Sequence, residues 1–195
     1  GITLELSTEV TRIEQQGVDR VVHLTNGGIV EADEVVFATG RRPNLESLNV
    51  DRAGIVLNKR GAVEVDEHYR TNLEHIYAVG DVIDRMQLTP VALAEGMQVV
   101  SHLTGESRTP INYDLIPTAV FSEPNVGTVG LSEAAAVAQD FQIQVFESSF
   151  RPLHHSLPNN PERVYMKTIV DTQTDRVLGC HMLGEQAGEI IQGLA

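Results

Sequence analysis

Ile76-Tyr77-Ala78-Val79-Gly80-Asp81, followed closely by Leu88-Thr89-Pro90, is the stretch on which the fold turns. A short apolar run that stops at Gly-Asp presents a carboxylate at the carboxyl edge of a sheet, where open α/β folds bind ligands. Taken alone, such an Asp is more often a turn residue that bonds its own backbone. Here Thr89 is placed to cap a helix, Pro90 suits its first position and Gly105 its end. The N–H groups at that helix start stabilise a nearby anion by about 0.3–2 kcal/mol. Asp81 can accept a hydrogen bond from a sugar-alcohol hydroxyl, so carboxylate and helix start together suit a flavin.

Upstream, Thr8–Ile13 and Arg20–Thr25 alternate as strands do, and Asn26-Gly27-Gly28 supplies a turn of positive backbone dihedrals. Glu34–Thr39 is a short β-branched run ending at Gly40, which predicts a buried strand. Residues 41–69 hold Pro43, Asn44, Gly54, Asn58 and Gly61 and read as an irregular crossing, with one short strand at Ala62–Val65 and a domain boundary near Arg42-Pro43. From Tyr113 onward the pattern is of short strands, around 118–121, 127–130, 142–150, 163–171 and 176–183. Ser132-Glu133 opens an Ala-rich helix to Gln139, and a final helical run begins near Glu189. Strands mixed with two helices predict an α+β unit distinct from the α/β part before it.

Composition limits the function classes. With 42% hydrophobic and 21% charged residues, the chain is globular rather than disordered. A net charge of −13 disfavours a nucleic-acid partner, which needs a basic face. No apolar run approaches bilayer length, so the expectation is a soluble, cytoplasmic protein without a membrane partner. Cys180 is the only cysteine, which excludes an internal disulfide or dithiol pair within these residues. The chain opens at Gly1 and stops at Ala195 inside an apolar run, and both ends read as cuts in a longer protein.

Ala38-Thr39-Gly40-Arg41-Arg42-Pro43-Asn44, then Thr71-Asn72 and Ile76–Asp81, resemble in order and spacing the pyridine nucleotide-disulfide oxidoreductases. The resemblance continues through Leu88-Thr89-Pro90-Val91-Ala92-Leu93, Pro117–Phe121, Val129–Glu133, Phe150–Leu153, Leu178–Gly184 and Glu189–Gly193, so it covers essentially the whole chain. It implies α/β and α+β parts: the end of an NAD(P)H-binding domain (1–42, a β-meander), part of an FAD-binding domain (43–112) and most of a dimerisation domain (113–195). It also implies FAD and NADPH as cofactors and a homodimer. By resemblance, Gly80 and Asp81 meet the flavin ribityl chain, Leu88, Thr89 and Pro90 the flavin ring, Gly40 and Arg41 the nicotinamide nucleotide, and the Ala119 backbone the nicotinamide amide.

Leu88–Leu93 is similar to the branch that reduces glutathione or trypanothione disulfide, with glutathione disulfide as the expected substrate. Met97 follows Gly96 where some members carry an Arg that contacts a glutathione carboxylate; plant and cyanobacterial-type members lack that Arg too. In the family the redox cysteine pair and a His–Glu acid/base pair do the disulfide chemistry. Neither falls within these residues, so the chain by itself is predicted to be catalytically incomplete. The competing readings are a different disulfide (trypanothione, lipoamide or mercuric type) and a non-catalytic dimerisation module.

Three further features have ordinary explanations. His154-His155 hints at metal, yet adjacent side chains need not converge and no Cys or carboxylate stands at ligand spacing, so no metal site is expected. Cys180 lies in an apolar strand-like segment and reads as a small structural hydrophobe. Phe141, Phe146 and Phe150 read as core or interface packing.

Overall fold

A computed structural model of the chain describes residues 1–158 and 160–195. They form two compact units, Gly1–Asn44 and Leu45–Ala195.

The first unit is an antiparallel three-stranded sheet in the order β1 (Val10–Gln16), β2 (Asp19–Leu24), β3 (Ile29–Ala32). Central β2 buries Val21 and Val22. The turn from β2 to β3 is made at Asn26-Gly27, as the sequence predicts: Gly27 takes φ 82° and Asn26 Oδ1 accepts the Gly28 N–H at 2.8 Å. The predicted strand at 34–39 does not form; Val36 is 88% and Phe37 66% exposed. An all-apolar strand needs a hydrogen-bonding neighbour and cover on both faces, and no strand among the described residues pairs with it.

The second unit begins at Leu45 with a 3-10 turn, Glu46–Leu48, and runs through α1 (Val50–Ala53) and tight connections to α2 (Thr89–Thr104). The predicted strand at Ala62–Val65 shrinks to a single bridge, Leu57 with Val63, and Ile76–Val79 contributes one more, Tyr77 with Arg70. Side-chain bonds replace ladders here: Asn72 accepts the Val56 N–H at 3.0 Å and donates to the Gly54 carbonyl at 2.8 Å. Leu45, Val50, Val63, Tyr69 and Ile83 form the core, packed by Val79, Val99 and Ile111.

The rest of the unit is an antiparallel five-stranded sheet of β4 (Thr118–Val120), β5 (Val126–Gly130), β6 (Ile143–Phe150), β7 (Val164–Asp171) and β8 (Val177–Leu183), in the order β4-β5-β8-β7-β6. Two helices accompany it, α3 (Glu133–Ala138) and α4 (Ala187–Gln192). Ser132 caps α3 as predicted, accepting the Ala135 N–H at 3.2 Å. Helix α4 lies so close to β5 that a Cβ at Gly127 would collide with the Ala187 carbonyl. Val129, Val164, Met182, Ala187 and Ile191 close the core beneath it. Phe146 and Phe150 on edge strand β6 are not core residues, being 52% and 40% exposed. Cys180 is half-buried in β8 beside that core. No helix among the described residues is long and apolar enough to cross a membrane.

Candidate functional site

Gly80 opens a 3-10 turn, Gly80–Ile83, at φ 74°. The left-handed backbone alone favours glycine there. Packing adds a second reason, since a Cβ would stand 3.0 Å from Ala92 Cβ on α2. This close approach sets the Gly80-Asp81 turn against the first turns of the helix. Beyond it, Val63 donates to the Val82 carbonyl at 2.9 Å, and Asp84 is held by Arg60 at 3.2 Å and Gln87 at 2.8 Å. The turn is thus pinned along its length while Asp81 remains exposed.

Helix α2 starts one residue earlier than the sequence suggests. Leu88 is extended (ψ 132°), its carbonyl already accepts the Val91 and Ala92 N–H groups at 3.0 Å each, and Thr89 is the first helical residue. No side chain caps this start, Pro90 lies in the first turn and no acid does. Gly105 ends the helix at φ 73°, as predicted. An uncapped, acid-free start leaves the positive end of the helix dipole to act on a nearby anion.

The residue that ties turn to helix is one the sequence reading missed. Glu95 is fully buried; its Oε2 accepts the Gly80 N–H at 2.5 Å and its Oε1 the Tyr113 hydroxyl at 2.7 Å. Tyr69 Oη stands 2.9 Å from Tyr113 Oη, and the Arg85 guanidinium lies over both rings at 5.2 and 5.6 Å. Burial, followed by the bonds to Tyr69 and Glu95, pushes the Tyr113 hydroxyl far above the usual tyrosine range, so it is a donor at every physiological pH. Glu95 follows Val91 by one turn of α2, and this register alone places it on the buried face.

The remaining expected residues belong to other segments of the chain. Ala119 is in β4 opposite Gly127, and Gly188 of α4 packs against its Cβ. Gly40, at φ 98°, and Arg41 belong to the first unit and are exposed. A cleft of about 700 Å³ runs beside Tyr69, Arg85, Ser101, His102 and Tyr113, and none of the expected cofactor residues lines it.

After β6, two side chains that need not have converged are brought together. His154 and His155 do converge, and on a carboxylate: Glu185 Oε2 lies 2.9 Å from His154 Nε2 and 3.2 Å from His155 Nε2. The rings meet edge to face with centroids 4.3 Å apart. Glu185 comes from the connection between β8 and α4, which is why sequence spacing concealed it. The bond from His154 chiefly holds its carboxyl below the usual range, against a smaller opposing effect of burial.

Residues 1–96 match the family profile described as pyridine nucleotide-disulphide oxidoreductase, and residues 116–195 match the profile of that family's dimerisation domain. The chain is 41% identical over its whole length to the glutathione reductase of Burkholderia cepacia, covering 43% of that protein. It is 45% identical over 88% of its length to the chloroplastic/mitochondrial glutathione reductase of Pisum sativum, covering 31% of it. With the trypanothione reductase of Trypanosoma congolense it shares 36% identity over its whole length, covering 40% of that relative. Among solved structures, the HOCl-induced flavoprotein disulfide reductase RclA from Escherichia coli superposes with TM-score 0.82 at 32% identity, covering 95% of this chain and 43% of that one. LpdA from Mycobacterium tuberculosis superposes with TM-score 0.79 at 25% identity, covering 96% and 41% respectively. The chain spans less than half the length of these curated relatives. Two profiles of one family thus account for nearly all of its residues, and the chain belongs to the pyridine nucleotide-disulphide oxidoreductases.

Proposed function

We propose that the full-length protein containing this chain is an FAD-dependent, NADPH-driven reductase of glutathione disulfide that works as a homodimer. The observation that carries this reading is the agreement of relatives named glutathione reductase, at 41% and 45% identity, against 36% for the trypanothione reductase. In our reading residues 1–42 end the NADPH-binding domain, 43–112 belong to the FAD-binding domain and 113–195 to the dimerisation domain, whose profile supports the homodimer. We assign the protein to the cytoplasm.

The turn beside α2 fits a flavin. Asp81 is exposed, its backbone is held by Glu95 through Gly80, and the neighbouring helix start offers positive potential without a competing acid. When bound, FAD accepts a hydride from NADPH and passes the electrons on to a disulfide. Asp81 would accept hydrogen bonds from the ribityl hydroxyls. Leu88, Thr89 and Pro90 would hold the flavin ring, and the helix start would stabilise the negative charge of the reduced form. Gly40 and Arg41 would serve the nicotinamide nucleotide, and the Ala119 backbone its amide. With Cys180 as its only cysteine, the chain supplies cofactor support rather than the redox dithiol.

The test uses the full-length protein. NADPH oxidation is followed with glutathione disulfide and with trypanothione disulfide, then with NADH, and the flavin-to-protein ratio is measured for the wild type and Asp81→Ala. Glutathione disulfide with NADPH is expected to be the preferred pair, and the variant to purify with less flavin. Faster turnover of another disulfide would overturn the substrate; unchanged flavin occupancy would overturn the role of Asp81.

A further inference from the structure

We propose that His154, His155 and Glu185 form a binding site for a divalent transition-metal ion of the zinc type. The three side chains come from two separate segments, the 3-10 turn Leu153–His155 after β6 and the connection between β8 and α4. They offer three ligand atoms that all lie within 4.8 Å of one another. Two imidazole nitrogens and one carboxylate oxygen are a donor set for zinc with an open position. Tetrahedral zinc with bonds of about 2.0–2.1 Å separates neighbouring ligand atoms by about 3.3 Å. The two nitrogens stand 2.9 and 3.2 Å from Glu185 Oε2, close to that spacing, and within 4.8 Å of each other.

Order and access are divided between the ligands. The His155 side chain is only 9% exposed, and its backbone N–H is fixed to the Pro152 carbonyl at 3.0 Å, so one ligand is held in place. His154 and Glu185 side chains are 62% and 53% exposed, which lets His154 swing inward and leaves solvent to complete the coordination. Glu123 and Glu162 line the same cleft as His155 and Glu185 and add negative potential. Arg163 also lines it, but its guanidinium is bound to the Ser149 hydroxyl at 3.1 Å and the Ser149 carbonyl at 2.6 Å.

The test is equilibrium dialysis of the flavin-loaded full-length protein against Zn²⁺, with bound metal measured by mass spectrometry. Reductant is omitted, so that oxidised cysteines elsewhere do not compete. Wild type is compared with His154→Ala and Glu185→Gln, both at exposed positions, and flavin content and elution volume report that each variant is folded. The wild type is expected to hold one equivalent of zinc more than either variant, or to hold it about tenfold or more tightly, since even changes to groups that only support a metal ligand cost about 10–100-fold in affinity. Equal stoichiometry and affinity in all three proteins would overturn the site, as would no zinc retained by the wild type.

Discussion

Glu95 shows what one buried carboxylate can organise. Removing it from water costs several kcal/mol unless its oxygens are bonded, and the Gly80 N–H and the Tyr113 hydroxyl meet that need. Tyr113→Phe leaves Oε1 without that donor. We expect the full-length protein to lose about 1–3 kcal/mol of stability, read as a lower urea midpoint with unchanged slope. An unaltered midpoint would mean that the hydroxyl contributes nothing. Asp81 was legible in the sequence because Gly-Asp follows an apolar run and precedes a helix. Glu95 was not, because a glutamate on a helix ordinarily faces water, and only its register with Val91 places it inside. His154 and His155 were legible as a pair, whereas their partner Glu185 lies beyond two further strands.

Elements were readable where local chemistry decides them. Asn26-Gly27, Ser132 and Gly105 each terminate or cap a structure by their own side chain or backbone freedom, and each does so in the structure. The run at 34–39 was misread because a strand buried on both faces depends on neighbours that its own residues cannot announce. The β7–β8 connection offers a test at this scale. Asp171 accepts from the Thr174 hydroxyl at 2.5 Å and the Gln173 N–H at 3.2 Å, and the Thr174 bond foremost lowers its pKa. A folded pKa below the unfolded value of 3.8 means stability that is complete above that value and is lost as pH falls through it toward the lower folded one. Melting temperature is therefore expected to drop as pH falls from about 5 through the unfolded value and below it, with a shallower drop in Asp171→Asn. Parallel profiles for the two proteins would remove Asp171 from the account.

For the molecule as a whole, charge and exposed apolar surface act in opposition. The 195-residue chain carries a net charge of −13 yet exposes Val36, Phe37, Phe121, Leu153 and Leu157 by 66–96%. Copies repel one another at low salt, and screening shortens that repulsion to about 10 Å at 0.1 M. Self-association of the chain is accordingly expected to strengthen when salt is raised from about 20 to about 500 mM, as sedimentation velocity would record. Weaker association at high salt would show that opposite charges, not apolar faces, hold the copies together. The strand order β4-β5-β8-β7-β6 has a further consequence, in time. β6, β7 and β8 join successive neighbours and close short loops, but β5 pairs only with β4 and β8, so Val126 must wait for Leu183. Closing that long loop is the slow entropic step. During synthesis β5 therefore leaves the ribosome early with one edge unpaired, and it stays so until β8 follows.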